Sequence, residues 1–177
     1  MSGFGRKVYI VGAGHSSVAT EAFKELLPEE LCVQVLKNTL KRSGVKASQV
    51  DSIKIGSVVS RSAEPTMIHA FAKRILMLSA EEGEEVHADG DMGDRACSSG
   101  LVAAQLAARD IACGRAEISI PGGMDMMSRV SPETIKEGLT DRATGKLMGE
   151  LADERTRGVY TRSEQDLYAM GSFEMAL

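Results

Sequence analysis

The chain has 177 residues, 43% of them apolar, with 21 Lys and Arg against 25 Asp and Glu, a net charge of −4. That length and composition fit one globular domain, or one with an appendage, able to bury a sizeable core. The acidic balance and the lack of a basic, aromatic-laced stripe exclude nucleic acid as partner, and no apolar run nears the ~18 residues of a membrane span.

Residues 7–13, KVYIVGA, form an apolar run closed by glycines and predict a buried strand. Gly12 and Gly14 predict a sharp turn after it. G-x-G behind a strand also suits a dinucleotide site, but Ser17 stands at the third glycine position and no helix begins there. Leu31, Val35, Leu36, Thr39 and Leu40 fall at helical spacing, and Gly44 supplies the stop. The alternating, β-branched stretch 51–60, DSIKIGSVVS, predicts a second strand. A second helix is expected over 65–78, with Pro65 near its start. The polar stretch 84–89, EEVHAD, is read as a third strand.

Residues 98–113 predict a strong helix ended by Gly114, and 116–123, AEISIPGG, the next strand. The order β-α-β-α-β-α-β argues for an α/β layer with largely parallel pairing. After Gly123 the text turns to charge, Gly and Met without clean periodicity, which predicts a long surface excursion of the kind that carries function. SEQDLYAMGSFEMAL closes the chain as a helix with Ser163 as N-cap. The domains are then 1–123, an α/β domain, and 124–177, the excursion and terminal helix.

Cys32, Cys97 and Cys113 are odd in number, with no CxxC and no metal-ligand spacing to His15, His69 or His87. No metal site is expected. Free thiols, and an N-terminus without a signal-peptide h-region, point to a reducing compartment such as the cytoplasm. His69 reads as structural, His87 as exposed, and His15 as a loop candidate. Cys97 is the sharpest candidate for chemistry. It precedes the helix of 98–113, whose first amides, at Ser98, Ser99 and Gly100, favour a thiolate and can serve as oxyanion donors. The alternative is a small, inert, buried residue, the commoner fate of cysteine. Met124, Met126, Met127 and Met148 suit an acyl pocket or plain packing.

The residues of DRACSSGLVAAQLAARDIACGRAEISIPGGMDMMSR go further. This stretch resembles the nucleophile region of the thiolases, acetyl-CoA acyltransferases whose pattern runs N-R-x-C-S-S-G-L, a small-residue helix, a strand, then G-G-x-E-S-M-S. Arg95, Cys97, Ser98, Ser99, Gly100 and Leu101 match the first block; Gly122, Gly123, Met124, Asp125, Met127 and Ser128 match the second. VYIVGAGH resembles the first thiolase strand, and LKNTLKRSGVKASQVDSIKIGSVV the first helix and second strand. EGLTD, LMGELADE and TRSEQDLYAMGSFEMA are similar to the family's loop region.

The resemblance implies a thiolase-like layered fold, represented by its N-terminal half and loop region without a C-terminal half. It implies that Cys97 attacks an acyl-CoA thioester to form an acyl-enzyme, as in an acetyl-CoA acetyltransferase or 3-ketoacyl-CoA thiolase of fatty acid metabolism. Coenzyme A enters as the substrate thioester, with no covalently bound cofactor. Ser98, Ser99 and Gly100 line the oxyanion site; Met124, Leu147 and Met148 contact substrate. Asp94 stands where the family has Asn, Asp125 where it has Glu, Leu147 where it has His, and His15 where many members have Arg. The family's second half supplies a G-H-P histidine that activates the nucleophile and a second cysteine in C-x-G. Neither motif occurs here, so the chain alone is expected to be weak or inactive. The alternatives are a non-catalytic acyl-CoA binder, a subunit completed by a homo-oligomer or by a partner carrying the other half, or a thiolase fragment.

Overall fold

The computed structural model describes residues 5–18, 23–59 and 70–176. They belong to two compact units, Met1–Thr134 and Ile135–Leu177. In the first unit, helix α1 (Pro28–Ser43) opens with proline and two glutamates, both favourable at a helix start. The Leu27 amide donates to Glu30 Oε2 at 2.7 Å. Gly44 ends the helix at φ 72°, a left-handed conformation that side chains resist. Gly44→Ala is therefore expected to cost about 1 kcal/mol, lowering Tm by roughly 2–4 °C in a thermal melt. Leu31, Leu36 and Leu40 form the buried stripe of α1.

Three parallel strands follow: β1 (Ser52–Gly56), β2 (Asp89–Gly93) and β3 (Ser119–Gly123), in the order β2-β1-β3. Between them run α2 (Phe71–Ser79) and α3 (Ser99–Ala112). Every residue of central β1 is buried. Alternation along it separates two faces. Ile53 and Ile55 join Phe71, Ile75 and Leu76 of α2 and the leucines of α1 in the main core. Lys54 and Gly56 point the other way, towards α3, where Lys54 pairs with Asp110 and Gly56 abuts Ser99. Asp51 stitches the strand starts together. Its carboxylate accepts from the Glu117 and Ile118 amides at 2.7 and 3.1 Å, and its carbonyl from Asp89 N at 2.9 Å.

The parallel α/β order is present; the strands read over 51–60 and 116–123 are shorter, Ser52–Gly56 and Ser119–Gly123, and three further readings in this unit change. Residues 7–13 form no strand, and Tyr9, Ile10 and Val11 are exposed, Ile10 by 92%. Instead Gly12 lies against Ser43 and Gly14 against Thr39, both on α1, so closely that neither tolerates a Cβ. An apolar run encodes a need for cover, but not which strand edge will pair with it. The third strand begins at Asp89 rather than spanning 84–89, because ladder bonding starts where the Asp89 amide reaches Asp51. The second helix runs Phe71–Ser79; the earlier part of the expected 65–78 lies outside the described residues.

The boundary between units falls within α4 (Pro132–Gly138). In the second unit, the stretch read as an irregular excursion holds α5 (Met148–Thr156), followed by α6 (Arg162–Ala176). Local caps explain the helicity. The Leu147 amide donates to Glu150 Oε2 at 2.7 Å, and the Thr161 amide to Glu164 Oε2 at 2.7 Å. Thr161, not Ser163, is thus the cap of the last helix, as the T-x-x-E spacing of a capping box dictates. Arg157–Asp153 and Arg162–Asp166 add ion pairs one turn apart.

Candidate active site

The strands β1 and β3 both end in glycine, at Gly56 and Gly123, paired side by side. The first turn of α3 rests on that pair. A Cβ on Gly56 would lie 2.7 Å from Gly100 N and 2.7 Å from Ser99 O, and Gly100 Cα lies 3.6 Å from the Cβ position of Gly123. Three glycines thus let a helix start sit directly above the carboxyl ends of parallel strands, where open α/β sheets bind ligands.

The chain reaches this helix through a tight turn. Ala96 is left-handed, φ 48°, which costs a non-glycine residue of order 1–2 kcal/mol. Hydrogen bonds hold it there. Its amide donates to Asp94 Oδ1 at 2.9 Å, and its carbonyl accepts from Ser99 N at 3.0 Å and Ser99 Oγ at 2.6 Å. Ser99 Oγ in turn accepts from Arg95 N at 2.8 Å, and Ser98 Oγ donates to Arg95 O at 2.8 Å. Cys97 follows the strained residue and is exposed, two positions before α3. The packed-core alternative for this thiol is thereby removed.

Of the three amides read as oxyanion donors, two are committed inside the turn: Ser98 N to Arg95 O at 3.2 Å, and Ser99 N to Ala96 O. Among the described residues no carbonyl accepts from the Gly100 amide, nor from that of Leu101 after it. Asp125, just past β3, accepts from Ser57 Oγ and Val58 N, each at 3.3 Å, and so ties the loop after β1 to the loop after β3. Met124 and Met126, flanking Asp125, are buried and belong to the main core.

The Thiolase, N-terminal domain family model matches residues 8–134. The chain belongs to the thiolase family. It is 31% identical over 185 aligned positions to an acetyl-CoA acetyltransferase of Rhizobium meliloti, covering 93% of this chain and 45% of the relative. An acetyl-CoA acetyltransferase of Syntrophomonas wolfei is 30% identical, with 97% and 47% covered. The chain thus spans about half the length of the curated relatives it matches. Among solved structures, an acetyl-CoA acetyltransferase of Bacillus anthracis superposes with a TM-score of 0.73 at 29% identity, covering 84% of this chain and 41% of that one. A thiolase from Ascaris suum, solved in complex with coenzyme A, shares the fold with a TM-score of 0.74 at 22% identity, over 87% and 43%.

In the second unit, Leu147 caps α5 and is half-buried, while Met148 opens that helix and is exposed. His15 accompanies Gln34, Lys41 and Arg42 around a cavity of about 400 Å³ along α1. His87 is exposed and pairs with Glu85 at 3.4 Å. His69 lies outside the described residues. Among the described residues no cluster of His, Cys, Asp or Glu is placed to hold a metal, and no helix is long and apolar enough to cross a membrane.

Two features escaped the sequence reading: the left-handed Ala96, and the ion triad of Lys54 with Asp91 and Asp110. Burial works to lower the Lys54 pKa, but the two carboxylates outweigh it and hold the ammonium above its ordinary value. Burial pushes the Cys32 thiol up to about 12. Both groups hold their proton more tightly folded than unfolded. Their contribution is full below the unfolded values, about 8.5 for Cys and 10.4 for Lys, and is lost as pH rises through the higher folded ones. Chemical denaturation at stepped pH should therefore show stability falling from about pH 8.5 upwards, and Cys32→Ala should flatten the first part of that fall.

Proposed function

We propose that Cys97 is the nucleophile of a thiolase-type acyl transfer. Its sulfur attacks the carbonyl carbon of an acyl-CoA, a new C–S bond forms, and coenzyme A leaves as its thiolate. The acyl group then passes from Cys97 to a carbon or thiol acceptor. The observation that carries this reading is the exposed thiol on a braced, left-handed turn at the start of a helix seated over two strand ends. There the helix dipole and the amides of Gly100 and Leu101 stabilise negative charge. The family relatives named as acetyl-CoA acetyltransferases support a short acyl-CoA as donor. Met124, Leu147 and Met148 are kept as candidate substrate contacts on the strength of the family motifs in which they stand. Three free thiols favour a reducing compartment, in keeping with the cytoplasm.

The test is acylation. The chain is incubated with acetyl-CoA, and an acetyl adduct is sought by peptide mass spectrometry. An adduct on Cys97 supports the proposal; adducts spread equally over Cys97 and Cys113, or none, would sink it.

A second reading, a subunit active only when a partner covers it, is favoured by exposed apolar side chains on two helices. Leu101 on α3 is 74% exposed, and Leu167, Tyr168, Phe173 and Met175 stand out along α6. Such surface marks association. Light scattering that returned a clean monomer over a wide concentration range would count against it.

A further inference from the structure

Helix α3 meets the sheet through one stripe: Ser99, Ala103 and Ala107, all buried, then Asp110 one turn on. Its first turn slides on glycines and its middle on two methyl groups. Side chains this small interlock weakly, so apolar packing holds the helix to the sheet without fixing its position along its own axis. A slip of one residue would move Cys97 by about 1.5 Å. The directional contact lies at the far end. Lys54 Nζ, on a side chain only 9% exposed, bonds Asp110 Oδ2 of α3 at 2.9 Å and Asp91 Oδ2 of β2 at 2.9 Å. Lys54 and Asp91 are register partners in the ladder, so the ammonium is fixed by the sheet before it reaches the helix. The backbone reinforces the point, because the Asp110 carbonyl accepts from Arg115 N at 2.8 Å as the chain turns into β3.

We infer that Lys54, Asp91 and Asp110 are positioning residues that set the axial register of α3, and through it the place of Cys97 and its neighbouring amides. This rests on the acyl-transfer reading only for its functional consequence. Stability gives a poor account of the triad, because apolar residues of similar volume usually replace such buried ion groups without loss.

The experiment uses the double variant K54M/D110L, which removes both buried charges together. It is expected to melt within a few degrees of the parent or above it. Two readouts follow at neutral pH: the iodoacetamide rate of Cys97 relative to Cys113 in the same chain, and hydrogen exchange of the amides of residues 96–101. A register defect lowers the rate ratio, by up to ~10-fold for each pKa unit by which the thiol loses the support of the helix amides. It also speeds exchange in that turn. K54R, which keeps a cation between the carboxylates, should restore both. A folded K54M/D110L with parental exchange at 96–101 overturns the inference. Should K54M/D110L fail to fold, D110N with the same readouts decides. Parental Cys97 that reacts no faster than Cys113 defeats the acyl-transfer reading alone; the exchange result then still settles the role of the triad.

Discussion

Cys97→Ala is expected to abolish every acetyl adduct formed from acetyl-CoA while leaving the melting curve almost unchanged. The thiol is exposed and makes no core contact, so its removal opens no cavity. The chemistry, by contrast, has no substitute. Cys32 is held neutral by burial, and Cys113 is the C-cap at the opposite end of α3, where the helix dipole disfavours a thiolate. Sustained turnover is a separate matter. In the family pattern a histidine activates the nucleophile and a second cysteine moves the α-proton, and these 177 residues carry neither motif. General base catalysis is worth about 10²–10⁴ in rate. The expected result is therefore slow single acylation of Cys97, with the steady-state release of product lower by at least that factor than acylation geometry alone would permit. Robust Cys97-dependent turnover by the chain alone would show that some residue within it serves as base, with His15 the first to replace.

The parts of this site that were legible in the sequence are those carried by local pattern. Periodicity placed α1 and α3, and Gly44 and Gly114 marked their ends, because helix stops need a left-handed residue that glycine supplies locally. Cys97 at a helix start was readable for the same reason. What was not legible depends on distant partners. DGDMG has no strand character of its own; it becomes β2 because Asp91 faces Lys54 and the Asp89 amide faces Asp51. Residues 7–13 look like a strand by composition, yet composition names no partner, and the segment pairs with neither outer strand of the β2-β1-β3 sheet. Ala96 hides its left-handed conformation behind a residue type that rarely adopts one; the hydrogen bonds it donates to Asp94 and accepts from Ser99 hold it there. Thr161 displaced Ser163 as a cap because Glu164 lies three positions after the former.

Gly56→Ala is expected to be the most damaging single change that leaves Cys97 in place. The added carbon would meet the backbone of Ser99 and Gly100, with Gly100 N at 2.7 Å, so no side-chain rotation relieves it. Either the start of α3 lifts from the sheet or the end of β1 bends away. Overpacking of this kind costs typically 1–3 kcal/mol, which at this chain length lowers Tm by up to roughly 10 °C. The same displacement moves the turn that carries Cys97, so the iodoacetamide rate should fall further than the loss of stability explains. Two neighbouring glycines separate close packing from mere loss of a glycine. Gly93, paired with Gly56 across the ladder, has open space where its Cβ would go. Gly122 would meet only the Ile55 Cδ1 methyl, at 3.1 Å, which can swing aside. Gly93→Ala should leave Tm within a degree or two of the parent, and Gly122→Ala should lower it only slightly, by less than about 1 kcal/mol in stability. A Gly56→Ala variant that melts like Gly93→Ala and alkylates at the parental rate would mean that α3 does not rest on the strand ends, and the placement of the Cys97 turn would have to be rebuilt.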